Sequence, residues 1–177
     1  MHERSSFRKR KGRVLFISHG SPGYVMETNP AVQFWETLGR RMPPSLEAVI
    51  VISAHAQGRA TLRGGGRRST LLCDFSGFPL FDCKTWTLPV AYEQHAQIVS
   101  ALEAVGLRVE PDPEGPLDHG VWVPLRAMWP APVLPVFSLV LPEDPDLDHW
   151  WQMGERLAPC SIVRISGSAV AGSCTTS

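Results

Sequence analysis

Residues 13–18, RVLFIS, and 47–53, EAVIVIS, are two apolar runs rich in β-formers, and each leads to a histidine: His19 directly, His55 after one alanine. Neither run alternates with polar residues, which suits strands covered on both faces. Between them lies NPAVQFWETLGRRM, 29–42. Asn29 can cap a helix and Pro30 suits its first turn. Val32, Trp35, Leu38 and Met42 recur at helical spacing, and Pro43 and Pro44 stop the run. The stretch predicts a strand–helix–strand unit, with a right-handed parallel crossover.

The same pattern continues downstream. Residues 58–70 are rich in Gly and Arg and read as a surface loop. CDFSGFPLFDCKTWTLP, 73–89, mixes aromatics with turn residues and shows no period. Residues 91–105 read as a helix ending at Gly106. LRVE at 107–110 reads as a short strand and LPVFSLVL at 134–141 as a buried one. A helix opens near Asp146, and SIVRIS at 161–166 is the last strand. Strands alternating with helices predict an α/β fold with a mainly parallel central sheet and helices on both faces. The expected organisation is a basic tail over 1–12, an α/β domain over 13–166 and an irregular tail, GSAVAGSCTTS, over 167–177.

Composition narrows the class. The chain has 177 residues, 44% of them hydrophobic, and its 17 basic and 17 acidic side chains cancel. A length of this size fits one domain. Zero net charge gives no global pull toward nucleic acid or a membrane surface. No apolar run reaches the roughly 18 residues of a spanning helix, and the basic start lacks the long apolar core of a secretory signal. A cytoplasmic protein is the expectation. Cys73, Cys83, Cys160 and Cys174 show no C-x-x-C pairing and are read as buried or incidental thiols.

His19 and His55 follow equivalent strands. Ligands bind beyond the carboxyl ends of parallel strands, so neighbouring strands would turn both imidazoles to one crevice. Neutral imidazole is the commonest ligand of zinc, iron and copper. Gly20 permits a close backbone approach, with Ser21 and Pro22 making a tight exit. His119 lies in LDHGVWVPL, 117–125, read as a loop before an apolar run. With Asp118 beside it, it suits acid/base work, although a polar loop residue is the plainer reading of that segment alone. His95 and His149 fall in helical patterns and read as structural; His2 belongs to the tail.

Four motifs, SHGSP at 18–22, SAH at 53–55, DFSGFP at 74–79 and LDHGVWVPL at 117–125, together resemble the DODA-type extradiol ring-opening dioxygenases, the class III, LigB-like family that includes DOPA 4,5-dioxygenases. They occur in the family's order and approximate spacing, within matching segments from about residue 13 to residue 166. The resemblance implies a non-haem Fe(II) that binds a catechol and O2 in an open site, with Zn(II) able to take the same place. It implies His19 and His55 as metal ligands and His119 as the catalytic acid/base at the substrate. Ser21, Phe75, Phe78 and Asp118 are the implied substrate-binding residues. The implied partners are a small aromatic diol and O2, with no nucleic acid and no membrane.

Two departures stand out. Ala56 occupies a position where the family carries an aromatic. The family's further histidine after the strand matching SIVRIS, and its ligand near the C-terminus, have no counterpart here: no histidine follows His149. The expectation is therefore a chain shortened or shifted in frame, binding Fe(II) or Zn(II) weakly and turning catechols over poorly or not at all, with an unfinished sheet edge that favours association. Two competing readings are a tetrapyrrole metal chelatase, which also presents a His-Gly-Ser loop after its first strand, and a non-catalytic product.

Overall fold

The structure is a computed structural model that describes residues 14–26, 28–73, 85–143, 146–158, 160–163 and 170–174. Its central strand is β5 (Val136–Pro142). On one side β1 (Val49–Val51) runs parallel to it, with Val49 opposite Val136 and Val51 opposite Ser138. On the other side β3 (Thr61–Arg63) runs antiparallel to it, and β4 (Glu110–Asp112) extends the sheet parallel to β3. The short β2 (Gln57–Gly58) pairs in parallel with the end of β5. Three of these four ladders are parallel, so the mainly parallel α/β sheet expected from the sequence is present.

Side chains leave a strand alternately to either face, and β1 shows why its apolar run is continuous. Val49 and Val51 enter one core with Trp35, Trp122 and Leu125. Ile50 enters the other with Phe137, Leu102, Met153 and Leu157. The first core is covered by α1 (Pro30–Arg40) and α3 (His119–Met128), the second by α2 (Tyr92–Ala104) and α4 (Leu147–Leu157). Burying a large apolar side chain in this way contributes about 1.5–3 kcal/mol. Helices therefore lie on both faces.

The helix starts follow their capping residues. Asn29 Oδ1 accepts the Val32 N–H at 3.0 Å, and Pro30 opens α1 as its composition predicts. Asp146 Oδ1 accepts the His149 N–H at 2.7 Å and opens α4. Gly39 lets α1 sit directly on the Met128 carbonyl of α3, where a Cβ would collide with backbone.

Several expectations change. RVLFIS is not a strand over its described residues 14–18. Ile17 is buried, but Val14 is 61% and Phe16 81% exposed, so one side of the run faces water. Among the described residues β1 pairs with β5 and is contacted by β6 and β7, and the 14–18 run has no ladder partner. Residues 58–70 are not a surface loop. They supply β3, with Leu62 fully buried, and Gly64 and Gly65 at positive φ turn the chain inward beside Phe137. The strand expected at LRVE lies slightly later, at β4. His119 and VWVPL form a helix, not a loop. The β-branched valines and Pro124 conceal its period, and burial of eight of its ten residues leaves only His119 and Arg126 of the polar face that marks most helices. β6 (Cys160–Val163) and β7 (Val170–Cys174) pair antiparallel, so a strand occupies part of the tail expected to be irregular. The remainder of SIVRIS, 164–166, lies outside the described residues. Cys73 is disulfide-bonded, which replaces the reading of it as a thiol.

Among the described residues no helix is long and apolar enough to cross a membrane. His95 is structural, as expected: it is buried, its Nδ1 donates to the Gly64 carbonyl at 2.8 Å, and its ring meets Phe137 edge-on.

Candidate metal centre

The three histidines singled out in the sequence converge beyond the carboxyl end of β1. His55 lies on the turn that follows β1, and its backbone N–H donates to Ser53 Oγ at 3.2 Å. His119 occupies the first turn of α3, whose N-cap is Asp118. His19 arrives on the extended 14–18 segment, and Gly20 then turns the chain at φ 63° toward the short 3-10 helix Pro22–Met26. A side chain at Gly20 would strike the Tyr24 ring, so glycine serves both conformation and space here.

His19 Nε2 and His55 Nε2 are 2.8 Å apart. One metal-ligating nitrogen from each of His19, His55 and His119 lies within 4.8 Å of the other two. Ring centroids are 4.7 Å apart for His19 and His55, 5.2 Å for His19 and His119, and 4.2 Å for His55 and His119. Burial pushes the His19 pKa below its ordinary value, and the neighbouring His55 and His119 push it further the same way. The Gly20 backbone and the Asp118 charge oppose them. The neutral ring favoured by this balance is the form that ligates a metal. His19 Nδ1 is buried without a hydrogen-bond partner, so the ring has bonding capacity left unmet.

These features fit a divalent cation. Three nitrogen donors suit zinc, iron or copper, and not the oxygen-seeking Mg2+ or Ca2+. His119, expected as an acid/base beside the metal, belongs to the same cluster, so its position serves either a third ligand or a proton-transfer group.

Of the other expected residues, the structure describes Ser21 and Asp118. Ser21 is exposed, and its Oγ accepts the Gly23 N–H at 3.3 Å, forming a turn. Asp118, expected at the substrate, is 5% exposed. Its Oδ1 accepts from Ser53 Oγ at 2.6 Å and from the Gly120 N–H at 2.8 Å, which commits that oxygen to the framework of the site. Phe75 and Phe78 lie outside the described residues. Sequence reasoning missed Ser53 and Gly120 as parts of the site. The signal was present: Ser53 stands two residues before His55, and Asp118 followed by Gly120 at N2 is an N-cap pattern.

The family model of the catalytic LigB subunit of aromatic ring-opening dioxygenase matches residues 13–161. The chain belongs to this family. The match takes in all four motifs and all three site histidines. The 4,5-DOPA dioxygenase extradiol of Beta vulgaris is 32% identical to it over 165 residues, 88% of this chain and 61% of that protein. The 4,5-DOPA dioxygenase extradiol of Escherichia coli (strain K12) is 30% identical over 147 residues, 82% of this chain and 53% of that one. That of Mirabilis jalapa is 25% identical over 150 residues, covering 82% and 56%. The chain thus spans a little over half the length of the curated relatives it matches.

Proposed function

We propose that this chain carries the metal-binding part of an extradiol dioxygenase, acting with O2 on a catechol-type ring. The observation that carries the reading is the meeting of His19, His55 and His119 at one point in a chain of this family. His19 and His55, the close pair, would hold the ion, with Fe(II) for turnover and Zn(II) as a competent occupant of the same donors. When bound, a ferrous ion supplies the Lewis-acid and redox chemistry by which both atoms of O2 enter the product and the ring bond beside the diol is cut.

The protein's own groups have defined tasks. His55 is exposed and His119 partly so, which leaves the cluster accessible to a small planar diol. His119 Nδ1 or Nε2 accepts a proton from a catechol hydroxyl as the diol binds and returns it to the opening product. The start of α3 favours negative charge, which supports a diolate beside His119. Ser21 and the DFSGFP aromatics Phe75 and Phe78 are proposed from the family pattern as walls of the substrate pocket. The chelatase alternative gains no support, because the family match includes DFSGFP and LDHGVWVPL, motifs it leaves unexplained.

The test is to load the purified chain with Fe(II) without oxygen, add DOPA, admit air and follow the yellow ring-opened product. Product should form only with iron, slower than the enzyme median of about 10 per second, and should vanish in His55→Ala. Equal product with and without iron, or none from the loaded chain, would overturn the reading in favour of a non-catalytic protein.

A further inference from the structure

We propose that Ser53 is a positioning residue for this site, and that with Asp118 it fixes the separation of His55 from His119. The inference rests on the reading of the three imidazoles as one metal centre. Ser53 is 1% exposed, deeper than either histidine it serves. Its Oγ donates to Asp118 Oδ1 at 2.6 Å and accepts the His55 backbone N–H at 3.2 Å. The same carboxylate oxygen accepts the Gly120 N–H at 2.8 Å. One hydroxyl and one carboxylate oxygen therefore join the turn that carries His55 to the helix start that carries His119, although Ser53 and Asp118 are 65 residues apart in sequence.

A capping role alone does not account for this arrangement. The Gly120 bond already completes the N-cap of α3. The Ser53 bond adds a tie to the end of β1, and it is the shorter of the two. A hydroxyl-to-carboxylate bond in a buried, low-dielectric place is strong and tolerates little displacement. Gly120 closes the arrangement from the other side. A Cβ there would stand 2.5 Å from Ser53 Oγ and 3.0 Å from His55 Cδ2, so only glycine leaves room for these side chains against the helix start. Partners of this kind orient metal ligands, and their loss typically costs 10–100-fold in metal affinity.

The experiment compares the full 177-residue chain with Ser53→Ala, Asp118→Ala and Asp118→Asn. Asp146→Ala, which removes a similar N-cap from α4, serves as the control. Zn(II) affinity is measured by calorimetry, folding by thermal melting, and ring proximity by the NMR cross-relaxation between His55 and His119 in the metal-free chain. Ser53→Ala and Asp118→Ala should bind Zn(II) about 10–100-fold more weakly and lose the cross-peak between the rings. Asp118→Asn keeps the acceptor and the shape, and should recover most of both. Asp146→Ala should lower the melting temperature while leaving affinity and cross-peak unchanged. If Ser53→Ala binds Zn(II) as tightly as the unmodified chain and keeps the cross-peak, the positioning role is overturned and the metal centre stands. If the unmodified chain binds no Zn(II), the metal-centre reading fails. The cross-peak then decides for Ser53: its loss in Ser53→Ala supports positioning and its retention overturns it. Should Asp118→Ala fail to fold, Ser53→Ala and Asp118→Asn carry the comparison.

Discussion

His19 and the pair His55–His119 reach one point by unlike supports. His55 and His119 stand on the end of a buried strand and the start of a buried helix, joined by Ser53 and Asp118. His19 stands on an extended segment without ladder bonds, between the exposed Phe16 and a glycine at positive φ. The 14–18 segment is held by Leu15 and Ile17 against the first core. Among the described residues, one side of the cluster is tied to strand and helix by hydrogen bonds, and the other is held by apolar packing of Leu15, Ile17 and Tyr24. A site built this way can keep two donors fixed while the third adjusts to a ligand.

Removing a donor gives the largest effect. His55→Ala and His19→Ala should each weaken Zn(II) binding by at least about a hundredfold, near 2.7 kcal/mol, since loss of a ligand should exceed loss of a ligand's partner. The comparison lies in what survives. In His19→Ala the cross-peak between His55 and His119 should remain, because their framework does not include His19. Calorimetry with NMR on both variants measures this. An unchanged affinity in His19→Ala would remove the loosely held arm from the centre.

Substitution at the two glycines probes the supports themselves. Gly120→Ala forces a Cβ into Ser53 Oγ in a packed place and should destabilise the chain by about 1–3 kcal/mol, the usual range for overpacking, while weakening Zn(II) binding. Gly20→Ala meets the Tyr24 ring, a side chain at the edge of the first core, and a left-handed backbone that costs about 1–2 kcal/mol. Denaturant unfolding followed at Trp fluorescence should rank Gly120→Ala as the more damaging. The reverse order would show that the His19 arm is the rigid one.

The contrast also explains what the sequence made legible. Val49, Ile50 and Val51 are apolar because both faces of β1 are covered, so continuous hydrophobicity reported the strand correctly. Asn29 and Asp146 reported their helix starts through capping chemistry that acts within four residues. The pairing of His19 with His55 was readable because both follow apolar runs. What was not readable depends on contacts distant in the chain. β3 is three residues among glycines and arginines, and only its ladder with β5 makes it a strand. α3 has apolar residues on all sides, so it carries no helical stripe. The bond from Ser53 to Asp118 joins segments whose proximity no local pattern encodes. RVLFIS failed in the opposite sense, since it has strand composition but, among the described residues, no ladder partner.

That last case gives the smallest and most discriminating prediction. A phenylalanine in a buried strand costs about 3–5 kcal/mol when cut back to alanine, and a polar replacement would cost no less. Phe16 is 81% exposed, so Phe16→Ser removes little buried area and breaks no described ladder bond. Surface changes of this kind usually fall within 0.5 kcal/mol. Phe16→Ser should therefore leave the unfolding midpoint in urea nearly where it was, and Zn(II) affinity with it, because Leu15 and Ile17 still hold the segment that carries His19. A loss of several kcal/mol would mean that residues 14–18 pair with an edge after all. His19 would then be held as firmly as His55, and the difference between the two arms of the site would disappear.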